Sequence, residues 1–72
     1  MSETTRITVH GMTCEHCTAA VTEELTELEG VTDVAVDLHP GAASPVTITS
    51  TAPLDAAAVT AAVAEAGYTA TL

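Results

Sequence analysis

At 72 residues the chain is near the lower limit for a self-sufficient core, and such a domain buries about 60% of the surface its unfolded chain exposes. A hydrophobic share of 47% with no low-complexity run excludes disorder and predicts one globular domain over residues 1–72. Ten acidic residues against a lone arginine give a net charge of −9, which argues against nucleic acid or an anionic membrane surface as partner.

Arg6-Ile7-Thr8-Val9-His10 alternates polar and apolar, the period of a half-buried strand with Ile7 and Val9 facing inward. A loop, Gly11-Met12-Thr13-Cys14-Glu15-His16-Cys17, follows it. From about Cys17 to Glu29, Val21, Leu25 and Leu28 recur at helical spacing, with Glu23, Glu24 and Glu27 on the solvent side. Gly30 suits the C-terminal cap, where a left-handed backbone is needed. Val31 to Leu38 alternates again, with Val34, Val36 and Leu38 on one face and Asp33, Ala35 and Asp37 on the other. His39-Pro40-Gly41 is a turn leading to a third strand at Val46-Thr47-Ile48-Thr49, so these two strands form an antiparallel hairpin. Leu54-Asp55 opens a second helix, with Asp55 as N-cap and Leu54 packing on Val59 as a hydrophobic staple. Val59, Ala62, Val63 and Ala66 form its inner stripe, Gly67 ends it, and Tyr68 to Leu72 makes a last short strand. The order is βαββαβ, whose usual packing is an α+β, ferredoxin-like four-stranded antiparallel sheet with both helices on one face.

Both cysteines lie in the first loop at C-x-x-C spacing, which lets two sulfurs converge for a disulfide or a shared metal ion. A thiol at a helix N-terminus meets unpaired backbone N–H groups that favour the thiolate, the metal-binding form. Two cysteines do not make a secreted disulfide scaffold; a close pair in a reducing compartment means metal or redox chemistry. Residues Met1 to Arg6 lack the apolar run of a signal peptide, and no stretch approaches transmembrane length, so the expected location is the cytoplasm without membrane insertion. Met1 and Leu72 are expected to bound a complete small protein. No phosphate-cradling glycine loop or Ser/His/Asp set appears, and a non-enzymatic role is expected.

The loop as a whole, together with Gly30-Val31-Thr32-Asp33-Val34-Ala35-Val36 and Glu65-Ala66-Gly67-Tyr68, resembles the heavy-metal-associated domain family, and within it the small bacterial copper chaperones. The resemblance spans roughly residues 6 to 72. It implies a ferredoxin-like fold and Cu(I) held between the thiolates of Cys14 and Cys17. It also implies handover to a copper-transporting P-type ATPase, or to a copper-sensing repressor. Some members carry basic residues near the site for docking on acidic partners, whereas this chain has no lysine, which leaves the polarity of its partner open.

Soft thiolates suit Cu(I), and two of them satisfy a low-coordinate ion. Zn(II) normally takes four ligands, and only His10, His16 or His39 could supplement the cysteines, so zinc and other soft metals are expected as binders in vitro rather than as cargo. A two-thiolate site leaves room for a partner's cysteine as third ligand, and two such loops could share copper between protomers in a homodimer. His16 is expected to be an exposed spacer that tunes the Cys17 thiolate or contacts a partner. Thr13 stands beside the cysteines in the same loop. Met12 carries a soft thioether, yet it continues the inward side of the alternation and is expected to pack. Tyr68 either closes the small core or, by the resemblance, sits beside the metal loop. The acidic helix face is ordinarily a solvated surface, or an adaptation to a salty or high-GC proteome; its sharper use is to steer a basic partner through Glu15, Glu23, Glu24 and Glu27. The competing functions are a metal-binding domain of a transporter, a mercury-handling relative, and a thiol–disulfide oxidoreductase.

Overall fold

The structure, a computed structural model, describes residues 2–13 and 15–72. Its elements run β1 (Glu3–His10), α1 (Glu15–Thr26), β2 (Val31–Val36), β3 (Ser44–Ser50), α2 (Ala56–Glu65) and β4 (Thr69–Thr71). The strands form one antiparallel sheet in the order β2-β3-β1-β4, the ferredoxin-like βαββαβ arrangement expected from the pattern.

Register explains the core. Ile7 pairs with Val46, Thr5 with Ile48 and Val34 with Ile48, so the apolar members of three strands share one face. Ile7, Val9, Val46 and Ile48 are buried there beneath Val21 and Leu25 of α1 and Val59, Ala62 and Val63 of α2. Val34, Val36 and Leu38 are half-buried at the margin, as their alternation predicts. The opposite face is polar, with Arg6 across from Thr47 and Thr4 across from Thr49. Alternation along each strand therefore sorts one face to the helices and the other to water.

The boundaries differ from the sequence-based ranges in instructive ways. β1 begins at Glu3, three residues before the apolar alternation, because β3 extends to Ser50 and pairs with it there. The first helix stops at Thr26 rather than near Glu29. It unwinds through Leu28 N–H to Leu25 carbonyl and Val31 N–H to Leu28 carbonyl, and Gly30 at φ +89° turns the chain into β2. Gly30 thus takes the left-handed backbone expected of it, but one turn beyond the helix end. β2 closes at Val36, two residues short of Leu38, and β4 is confined to Thr69–Thr71. Asp55 caps α2 as predicted: its backbone is extended and its carboxylate accepts the Ala57 N–H at 3.1 Å.

Candidate metal centre

Three segments meet at one end of the sheet. β1 and β2 both run antiparallel to β3, so they reach the same end, and the start of β4 pairs with His10 there. That end carries the loop after β1, the turn after β2 and Tyr68 just ahead of β4.

The loop is anchored from below. Gly11, at φ +94°, breaks the extended line of β1. A Cβ at Gly11 would sit 3.6 Å from Tyr68 Cδ1, an ordinary contact, so the backbone conformation rather than space is what calls for glycine. The same contact places the half-buried Tyr68 ring against the start of the loop. Met12 is fully buried among the core side chains. Its thioether is therefore committed to packing, and the chain re-emerges at the exposed Thr13.

Cys17 occupies the first turn of α1, half-buried and packed against the core cluster. Thr13 Oγ1 lies 4.0 Å from Cys17 Sγ. A thiolate has no proton to give, so with Cys17 ionised the Thr13 hydroxyl is the donor. Helix N-terminal N–H groups add to a setting that suits a negative sulfur. The expectation for Cys14 as the second ligand lies outside the described residues. His16 is exposed on the first turn of α1.

The remaining histidines are held at the surface of this same end. His10 Nε2 is hydrogen-bonded to Thr71 Oγ1 at 2.9 Å, tying β4 to the end of β1. His39 Nε2 lies 3.1 Å from Asp37 Oδ2, and the His39 N–H donates to Ser44 Oγ at 3.0 Å. Among the described residues no three of His, Cys, Asp and Glu converge as a further metal site. One approach was not visible in the sequence: the Gly41 N–H donates to the Met12 carbonyl at 3.4 Å, bringing the β2–β3 turn onto the loop. Its only local trace was the turn triplet His39-Pro40-Gly41.

Carboxylates concentrate on the helical side. The half-buried Glu24 carboxyl is raised from its ordinary value, first by partial desolvation and then by the negative charges of Glu27, Glu65 and Glu23. A side-chain hydrogen bond with Glu27 acts in the same direction. The sole arginine, Arg6, lies on the opposite face of the sheet, across from Thr47.

Comparison with known proteins agrees with this geometry. Residues 6–69 match the model of the heavy-metal-associated domain. The "COP-associated protein" of Helicobacter felis is 40% identical over 62 residues, which cover 86% of this chain and 89% of that protein. The "Copper chaperone CopZ" of Staphylococcus saprophyticus is 50% identical over 38 residues, covering 53% of this chain and 56% of that one. The N-terminal domain of a potential copper-translocating P-type ATPase from Bacillus subtilis, solved in its Cu(I)-loaded state, superposes with a TM-score of 0.83. It is 26% identical, and the match covers 100% of this chain and 88% of that one.

Proposed function

This chain belongs to the heavy-metal-associated domain family, and from that membership we propose that it is a non-enzymatic Cu(I) carrier working in the cytoplasm. Cys14 and Cys17 are the ligands, and copper passes to the metal-binding domain of a copper-transporting P-type ATPase. The observation that carries this reading is the setting of Cys17: a half-buried thiol in the first turn of α1, with a hydroxyl at 4.0 Å and the preceding Met12 anchored in the core. Such a sulfur is positioned by rigid structure yet stands beside an exposed loop. The likeness to a copper chaperone and to a Cu(I)-loaded transporter domain supports copper as the cargo.

Transfer follows from low coordination. Two thiolates leave Cu(I) open to a third soft ligand. A receiving cysteine joins as third ligand and one original thiolate departs; the receiver's second cysteine then displaces the other original thiolate in the same way, so copper reaches the partner without release to water. Carrier and receiver of similar fold exchange one thiolate pair for another, and little free energy separates the two bound states. His16 and Tyr68 border the transfer path, His16 as a partner contact and Tyr68 as a screen against solvent. The resemblance to an ATPase domain also supports a second reading, in which this fold serves as the receiving rather than the delivering domain.

Anaerobic titration of the reduced protein with Cu(I) against a competing chelator, beside Zn(II), is the test. The expected result is one tightly held Cu(I) per chain, lost in Cys14→Ser and in Cys17→Ser. Weak Cu(I) binding with tighter Zn(II) would overturn the copper assignment, and catalysed insulin reduction by dithiothreitol would redirect it to a thiol–disulfide enzyme.

A further inference from the structure

The turn between β2 and β3 is more tightly constructed than a passive connection requires. The Asp37 N–H donates to the Pro45 carbonyl at 3.0 Å, and the Ala42 N–H to the His39 carbonyl at 2.9 Å. The His39 N–H is taken up by the hydroxyl of Ser44, a side chain with no solvent exposure. Gly41 adopts φ +76°, and a Cβ there would meet nothing within 4 Å, so the requirement at this position is backbone direction and not room. Amides in exposed turns are ordinarily satisfied by water. Here the Gly41 N–H points back across the end of the sheet to the Met12 carbonyl.

We propose that this turn, acting through the Gly41 N–H, is a positioning element for the metal loop. The inference rests on the Cu(I)-carrier reading above. Met12 is gripped at two points: its side chain in the core and its carbonyl by the turn. A peptide unit is planar, so holding the Met12 carbonyl also fixes the direction of the Thr13 N–H. Thr13 is the residue whose hydroxyl faces Cys17 Sγ, and it immediately precedes Cys14. Position is thereby passed from a turn remote in sequence, through one backbone carbonyl, to the segment between the anchored methionine and the thiols. At 3.4 Å the bond is long for an N–H···O contact and has room to shorten when a metal draws the loop together. Gly41, Ser44 and His39 on this account shape the ligand set without touching the ion.

The chain is short enough for total chemical synthesis, which permits an ester in place of the Pro40–Gly41 amide; this removes the Gly41 donor and weakens the Pro40 carbonyl as acceptor. The ester protein should keep its native circular dichroism but bind Cu(I) more weakly against a chelator, by up to about fivefold, the limit reached if the whole worth of one ordinary backbone hydrogen bond is gained on metal binding. A second ester protein removes the Thr51 N–H, which donates to the Gly30 carbonyl at 2.8 Å at the opposite end of the sheet. It should lower the melting temperature and leave Cu(I) affinity native, separating positioning from general loss of stability. Native affinity in the Gly41 ester, or an equal loss in the Thr51 ester, overturns the proposal. In the unmodified protein, a scalar coupling across the hydrogen bond from Gly41 N to the Met12 carbonyl carbon is expected in the Cu(I)-loaded state. Its absence overturns the proposal even where an ester chain does not fold. Failure of the unmodified protein to bind Cu(I) sinks the carrier reading itself, a result distinct from either of these.

Discussion

Met12 separates two uses of one side chain. A thioether could ligate Cu(I), but a residue with 0% exposure inside the core gives its sulfur to packing instead. Met12→Ala should cost about 2–5 kcal/mol of unfolding free energy through the cavity it leaves, measured by urea denaturation of the apo-protein. Met12→Leu, close in volume, should cost less than about 1.5 kcal/mol and leave Cu(I) affinity at the native value in the chelator titration. A loss of affinity in the leucine variant would make the sulfur a ligand after all. Met12 packs as expected, but not by alternation: the period from Ile7 and Val9 falls on Gly11, and it is the positive φ of Gly11 that breaks the line of β1 ahead of the buried Met12. Nothing in the sequence around Met12 hinted that its carbonyl would meet Gly41.

At the scale of elements, each helix depends on its ends as much as on its stripe. α2 is rich in alanine, a strong helix former, yet it is only ten residues long. Its start relies on the Asp55 carboxylate accepting the Ala57 N–H, and Asp55→Ala should cost about 1 kcal/mol by the same denaturation measurement. A loss near zero would mean that burial of Val59, Ala62 and Val63 alone holds the helix. The N-cap, the inner stripe and the helix stop before Gly67 were legible because each is a local pattern. The end of α1 was not. Leu28 continues the apolar spacing beyond Thr26, but the chain must leave the helix there to bring Val31 opposite Ser50 in the sheet. Pairing overrode periodicity.

For the whole molecule, the charge of −9 acts on a fold with a Cα radius of gyration of 10.9 Å. Between about 0.01 M and about 1 M NaCl the screening length falls from about 30 Å to about 3 Å, from well above to well below that radius. The melting temperature of the apo-protein should therefore rise with salt, and a flat or falling profile would show that self-repulsion is unimportant. Glu24 adds a dependence on pH. Its folded carboxyl is held above the ordinary value of 4.5, so between that value and its folded pKa the native state binds more protons than the unfolded chain. The associated stability is fully present below 4.5 and is lost as pH rises through the folded pKa. Glu24→Gln should accordingly raise the melting temperature at neutral pH and flatten its fall between mildly acid and neutral solution.

Strand periods, the helix stripes, the Asp55 cap and the C-x-x-C loop belong to the sequence by itself, because each arises from neighbours a few residues apart and from the chemistry of their side chains. The βαββαβ order follows from these local patterns alone, and they narrow the C-x-x-C loop to metal or redox chemistry. The approach of the Tyr68 ring to Gly11, the junction of Gly41 with Met12, and the arrival of Glu65 beside the local group of Glu23, Glu24 and Glu27 required the tertiary structure. Those approaches depend on strand order and register, which are settled by how the whole apolar face is buried at once. No local pattern encodes them, because the interacting residues become neighbours only when the sheet closes over its helices.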